Sequence, residues 1–432
     1  MNHDEDIYSY FCCSESMRLQ LDGLLDYLSL IGADCLPTLD SMKEASLLPC
    51  GSRQEGKKRL DEFKRLVLTS LSDISCDPSS HSEAFAKDIS GIPPRHNIRS
   101  TTDIRRITDI YIERAALDRP MTERIRGYFS KTVDKEHTHT VDSYKDVFYH
   151  PSDGRALILA VKRDHFVMKG APVCQSFDEE HFYYTSSVMN CIYDCEYCYL
   201  KGMFPSSHMV IYVDPEDTFA EVDELLKKHR VYLCISYDTD LMAIESMTGC
   251  ISLWNDYVSS REGLRIECRT KCARTDIWDR LTPNDSFIYA YTLSPDPVIN
   301  AHEHGTPSLT ERLDCIKAAI ERGFTVRLCF DPMIYMPGWK DIYRDMFAKV
   351  KKSIELDRIR DVSIGSFRIS DSYLRSMRKK LPGSALIRFP FDNAGGVYRY
   401  PSYIADEMIS LAYDELSGEI SPDKIFTDPR MR

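Results

Sequence analysis

Long hydrophobic runs are missing from this 432-residue chain. Its longest, such as Ala156-Leu157-Ile158-Leu159-Ala160-Val161, are far too short to cross a bilayer. The opening residues, Met1-Asn2-His3-Asp4-Glu5-Asp6, lack the basic start and apolar stretch of a secretory signal, so a cytoplasmic protein with no membrane attachment is expected. No internal repeat and no low-complexity tract stands out. Positive charge is short as well: 55 Lys plus Arg against 67 Asp plus Glu leave a net charge of −12. That excludes a protein coated in basic charge, but a local basic groove can still bind phosphates. With 43% hydrophobic and 28% charged residues, the balance is that of a globular enzyme rather than a disordered or fibrous chain. The length suits two or three domains, or one large α/β unit with an appendage.

Cysteine is plentiful, with fifteen residues. An odd count in a large chain without a signal reads as reduced thiols, some of them ligands, rather than a disulfide framework. Five lie near the start (Cys12, Cys13, Cys35, Cys50, Cys76) without tight ligand spacing beyond the Cys12-Cys13 pair, and read as small buried hydrophobes.

Residues 1–100 carry helical periodicity at Leu21, Leu24, Leu25 and Leu28, and again at Leu60, Phe63, Val67 and Leu71. Asp77-Pro78-Ser79-Ser80 and Gly91-Ile92-Pro93-Pro94 predict a linker after this helical extension. Farther along, apolar strand candidates alternate with helices: 231–236, 264–268, 286–293, 325–330 and 361–367 against 215–229, 251–259, 309–322 and 339–354. Ser308 and Gly323 bracket the third helix as start and stop signals. Repeated βα units predict a parallel sheet covered by helices, doubly wound or curled into a barrel.

One motif dominates: Cys191-Ile192-Tyr193-Asp194-Cys195-Glu196-Tyr197-Cys198, a C-x3-C-x2-C triplet. One loop with this spacing can wrap three thiolates around a compact metal centre. Three ligands on a four-iron cluster leave one iron open to an exogenous molecule. The loop follows a strand candidate, Phe182-Tyr183-Tyr184, and so falls at a strand's C-terminal end, where α/β folds place chemistry. A zinc site completed by Cys174 or His208 is the bland alternative, although no second C-x2-C knuckle is present.

The triplet on a βα scaffold resembles the radical S-adenosylmethionine enzymes, and Cys195-Glu196-Tyr197-Cys198-Tyr199-Leu200 resembles the spore photoproduct lyase family in particular. Further blocks are similar to that family: Asp109 to Glu113, Asp240 with Ile244 and Glu245, Thr270-Lys271, and Val298-Ile299 with Glu303, Gly305-Thr306 and Arg312. Pro332 with Gly338-Trp339 completes the set. The resemblance covers roughly residues 105–430. It implies an α/β fold: a partial (β/α)6 barrel with an N-terminal helical extension and a small C-terminal hairpin and helix region. The expected divisions are 1–100 (extension and linker), 101–180 (segment leading into the barrel), 181–370 (barrel) and 371–432 (basic helix and hairpin).

The resemblance also implies a [4Fe-4S] cluster on Cys191, Cys195 and Cys198, with S-adenosylmethionine held by Thr239 and Lys271. The family's reaction then implies a lyase that repairs a thymine dimer in DNA, the spore photoproduct, and takes electrons from a donor such as flavodoxin or ferredoxin. Tyr197 and Tyr199 match tyrosines proposed to relay a hydrogen atom. The family's hydrogen-donor cysteine is replaced by Tyr237, and the nearest thiol in sequence, Cys234, should point to the opposite face of its strand. This departure leaves Tyr237, another thiol or a different substrate open. Arg368, Tyr398 and Tyr400 are candidate substrate contacts, and the run Arg375, Arg378, Lys379, Lys380 is a candidate phosphate-tracking patch. The two alternatives are a relative acting on another nucleic-acid or small-molecule substrate, and a non-catalytic, zinc-stabilised binding protein.

Overall fold

The computed structural model describes residues 5–45, 50–72, 107–131, 133, 135–150, 155–170 and 174–427. Cys76 and the expected linker motifs at 77–80 and 91–94 lie outside these residues.

Seven parallel strands follow one another both in sequence and in space: β1 Phe182–Tyr184, β2 Val231–Cys234, β3 Leu264–Thr270, β4 Phe287–Thr292, β5 Thr325–Met333, β6 Asp361–Ser366 and β7 Ile425–Thr427. An antiparallel strand, Met168–Lys169, ends the sheet beside β1. The sheet is curled and open, a partial barrel with a seventh edge strand added to the six expected. Period two decides what each side chain meets. On β4, Phe287, Tyr289 and Tyr291 join the main apolar core, whereas Ile288 belongs to a separate small cluster with Phe177 and Tyr232. Both faces are buried, which is why these strands read as apolar runs. The helix Leu309–Glu321 begins with a Ser308–Glu311 capping box and is followed by Gly323 at φ +83°.

A second sheet joins Ile107–Glu113, Thr138–Val141, Arg155–Ala160, Met209–Tyr212 and Val188–Met189. It draws strands from both sides of residue 181, so the expected boundary there cuts through a sheet. The N-terminal extension forms α1 Glu5–Tyr10, α2 Glu15–Leu30, α3 Leu36–Ala45 and α4 Arg53–Ser72. Its leucine stripe belongs to the same apolar core as the barrel. Tyr27 packs edge-on against Phe389 at 5.1 Å, the Gly338 amide donates to Leu71 O at 3.2 Å, and Lys64 pairs with Asp392 at 2.7 Å. The extension is therefore a buttress for the C-terminal hairpin. No helix among the described residues is long and apolar enough to cross a membrane.

Candidate cluster site at the barrel mouth

The cysteine loop leaves β1 and is held at both ends by backbone carbonyls. Asn190 turns the chain at φ +67°, a conformation asparagine tolerates, and its amide donates to Ser206 O at 2.9 Å and His208 O at 2.7 Å. The Arg155 guanidinium donates to the carbonyls of Cys191 and Ile192. Across the mouth, Asp194–Cys195 pairs antiparallel with Glu303–His304. Buried Glu196 pulls the same segments together, bonding His302 Nδ1 at 3.1 Å and His304 Nε2 at 3.3 Å and accepting from Ser384 Oγ at 2.8 Å. Burial alone would raise its pKa, but these hydrogen bonds outweigh burial and hold the carboxyl well below the usual range.

The three thiols share one eight-residue loop. Each lies within electrostatic reach of another, and Lys271 bears on Cys195 and Cys198. Burial pushes Cys191 up to about 12 and raises Cys195 and Cys198 as well. Thiolates in this pocket need positive charge supplied at the site, which a cluster bound by three sulfurs provides. Among the described residues, no three His, Cys, Asp or Glu side chains are already gathered as they would be around an ion, the three loop thiols included. His208 Nδ1 instead accepts from the Ala156 amide at 3.1 Å.

Thr239 and Lys271 are brought to this loop by one carboxylate. Buried Asp240 accepts from Thr270 Oγ1 (2.7 Å) and from the amides of Lys271 (2.7 Å) and Ala243 (3.1 Å), tying the turn after β2 to the end of β3. The Thr239 residue is 8% exposed and its hydroxyl has no hydrogen-bond partner. Lys271 Nζ lies 5.4 Å from the Tyr197 ring centre. An orphaned buried hydroxyl and an ammonium beside three thiols suit a ligand with hydroxyl and carboxylate groups.

The aromatic candidates differ in their surroundings. Tyr197 donates to Glu303, which also takes the Ser294 hydroxyl at 2.7 Å and the Arg312 guanidinium. Burial would raise Glu303, but Arg312 and Lys271 outweigh it and hold the carboxyl down to about 2. Tyr199 donates to the backbone carbonyl of Tyr237, whose ring stacks on Tyr184 at 4.0 Å. β2 ends at Cys234, so Tyr237 lies beyond the regular alternation. Its hydroxyl oxygen is 3.9 Å from Cys174 Sγ, a sulfur hydrogen-bond distance. Sequence reasoning considered Cys174 only as a zinc ligand; no spacing rule links residues 174 and 237.

Asp238 was missed outright. It is 5% exposed, one oxygen takes the Ser186 hydroxyl and the other has no partner. Burial lifts it to about 6, against the opposing pull of that hydrogen bond and of Lys162.

The remaining candidates separate. Arg368 is clamped to Asp331 by two bonds, 3.0 and 3.2 Å, at the barrel mouth. Tyr398 is half-buried, with Arg378 5.7 Å from its ring centre. Tyr400 is buried in an aromatic cluster and its hydroxyl accepts from the Tyr335 amide at 3.0 Å, so it anchors the hairpin from within and presents nothing to a substrate. The basic run is also partly structural. Arg378 donates to Ile387 O and Phe389 O, and Lys380 to Lys201 O and Phe204 O, leaving Arg375 and Lys379 as its outward members.

Comparison with known proteins agrees with this geometry. The family profile described as spore photoproduct lyase matches residues 107–387. Spore photoproduct lyase of Clostridium acetobutylicum is 22% identical over 315 residues, covering 69% of this chain and 90% of the relative. That of Bacillus subtilis is 19% identical over 265 residues, covering 59% and 75%. A spore photoproduct lyase solved in complex with dinucleoside spore photoproduct superposes with a TM-score of 0.62 at 18% identity, covering 74% of this chain and 98% of the other. A variant solved with bound AdoMet and the same dinucleoside matches equally well. With the profile spanning more than half of its length, the chain belongs to the spore photoproduct lyase family.

Proposed function

We propose that this chain is a [4Fe-4S], S-adenosylmethionine-dependent lyase that repairs the spore thymine dimer in DNA. The observation that carries this reading is that Cys191, Cys195 and Cys198 lie on one loop, with Lys271 bearing on Cys195 and Cys198 and the orphaned Thr239 hydroxyl at the C-terminal ends of parallel strands. When bound, the cluster and S-adenosylmethionine supply a 5′-deoxyadenosyl radical, chemistry that belongs to the cofactors.

The protein's part is holding and aiming. Asp240 sets Thr239 and Lys271 at a fixed separation, so that hydroxyl and ammonium meet different parts of one ligand. The Glu303–Arg312 pair locks the Tyr197 hydroxyl, which makes Tyr197 a wall and a hydrogen-bonded member of the site. Cys174 with Tyr237 would fill the role of the family's absent cysteine: the thiol gives its hydrogen atom to the product carbon radical, Tyr237 O–H restores the S–H bond, and the Tyr237 phenoxyl left behind takes one electron from the reductant and a proton from solvent. Tyr199 donates to the Tyr237 carbonyl and so fixes the turn that carries Tyr237. Arg368 and Tyr398 border the substrate. A one-electron carrier such as flavodoxin or ferredoxin supplies reducing power, and a reducing cytoplasm suits a chain whose described cysteines are all free thiols.

The test is anaerobic iron reconstitution, reduction with dithionite, and assay of 5′-deoxyadenosine and thymine release, with and without a dinucleotide carrying the lesion. Both products are expected. Absence of iron uptake and cleavage would defeat the cofactor reading, and cleavage without thymine release would assign the family member a different substrate.

A further inference from the structure

Three successive alternate residues of β3 and its end, Glu267, Arg269 and Lys271, carry charge. Glu267 serves the barrel floor through Arg327 and Tyr232, and Lys271 turns toward the cluster loop. Arg269 lies between them. Its nearest carboxylate oxygens are Glu267 Oε1 at 3.6 Å and Asp331 Oδ2 at 4.0 Å, both beyond hydrogen-bond distance. Asp331 is engaged elsewhere, clamping Arg368 through two oxygens, and Glu267 gives Oε2 to Arg327 and Tyr232, so that only its Oε1 faces Arg269, at ion-pair rather than hydrogen-bond distance. The clamp is built in: a Cβ on Gly365 would come within 2.8 Å of Asp331 Oδ1 and 3.0 Å of Arg368 Nη1.

A guanidinium has five N–H donors in a plane, and Arg269, its side chain 32% exposed, presents them at the barrel mouth without a hydrogen-bonded protein acceptor among the described residues. The unspent donors point to an anion with several acceptor oxygens. The anion's position follows from the neighbours. Cys174, hydrogen-bonded to Tyr237, feels the fields of both Arg269 and Arg368. The group that Arg269 binds therefore sits beside the reacting end of the substrate, while Lys271 serves the ligand at the cluster loop.

We infer that Arg269 binds the phosphodiester joining the two nucleosides of the lesion, and so makes this enzyme discriminate a phosphate-bridged dinucleotide from a phosphate-free dinucleoside. The inference rests on the substrate reading given above. It is tested on the full-length, iron-loaded chain under anaerobic conditions with both forms of the spore lesion. Equilibrium binding is measured as well as kcat/KM, for the wild type, Arg269→Gln and Arg269→Lys.

The wild type is expected to favour the phosphate-bearing form by roughly tenfold or more, the scale of a charge-assisted hydrogen bond. Arg269→Gln brings that ratio to about 1 without weakening the dinucleoside, and Arg269→Lys keeps an intermediate ratio because it retains the charge but not the planar fork. The dinucleoside measured on the same variant controls for folding. A ratio that survives Arg269→Gln overturns the inference, as does an equal loss for both compounds. A fall in S-adenosylmethionine affinity with the ratio intact would assign Arg269 to the cofactor's carboxylate instead. Wild type that binds both forms equally overturns this inference alone. Wild type that cleaves S-adenosylmethionine yet binds neither form defeats the substrate reading and this inference with it.

Discussion

The two ends of the barrel both carry charged side chains and treat them in opposite ways. At the floor, Arg327 bonds Glu267 and both oxygens of Asp361, Tyr232 donates to Glu267, and the Phe177 ring lies 3.3 Å from the guanidinium carbon. Every member of that set has its partner. At the mouth, three free thiols share one loop, the Thr239 hydroxyl and an Asp238 oxygen have no partner, and Arg269 has its nearest carboxylates at 3.6 and 4.0 Å. Closed networks belong to stability, and open ones mark the place where a ligand completes the set.

The sharpest way to break this comparison is to remove one thiol. Cys198→Ala should abolish iron uptake and 5′-deoxyadenosine formation while leaving the thermal midpoint of the iron-free protein nearly unchanged, since Cys198 is only half-buried and alanine fills most of the same space. Iron analysis and a melting curve check both halves. A large loss of stability would mean that the mouth is as structural as the floor.

At the floor the effect should be thermodynamic. Arg327→Met strands two buried carboxylates, Glu267 and Asp361, and should cost about 3–5 kcal/mol in denaturant unfolding. Iron binding by the fraction still folded should persist. Loss of iron binding in a folded variant would show the two ends to be coupled.

A third test separates the ends by pH. The folded-state pKa of Asp238, about 6, lies above the ordinary carboxylate value, so between roughly pH 4 and 6 the folded chain holds a proton that the unfolded chain has released. Its contribution is therefore present at low pH and is lost as pH rises through about 6. Asp238→Asn should flatten this limb of the stability–pH curve, by at most about 2–3 kcal/mol across it. An unchanged curve would show that Asp238 keeps its charge through pairing with Lys162.

The fold was legible where periodicity repeats. Strands and helices between 215 and 367 lie close to their expected places because buried parallel strands are apolar on both faces and because caps such as Ser308 act locally. The cysteine loop was legible because its three cysteines share one short segment. What could not be read is what the chain assembles from distant parts: Cys174 at Tyr237, Glu196 at His302 and Ser384, and the second sheet that crosses residue 181. Arg269 was within reach, since alternation from Lys271 places it on the same face, but nothing in sequence shows that Asp331 is already clamped to Arg368.

Tyr398 and Tyr400 show the same limit at the smallest scale. Two residues apart near the C-terminal hairpin, they share a side-chain type and a period-two relation, yet Tyr400 is in the core and Tyr398 is half-buried beside Arg378. Tyr400→Phe removes the acceptor for the Tyr335 amide and should cost about 1 kcal/mol, a fall of about 2 °C in the thermal midpoint, with kcat/KM unchanged. Tyr398→Ala should do the reverse, weakening binding of lesion-bearing DNA while barely moving the midpoint. A Tyr400→Phe variant that loses activity at full stability would reverse the assignment, because a hydroxyl sealed in an aromatic core can reach a substrate only if the hairpin opens.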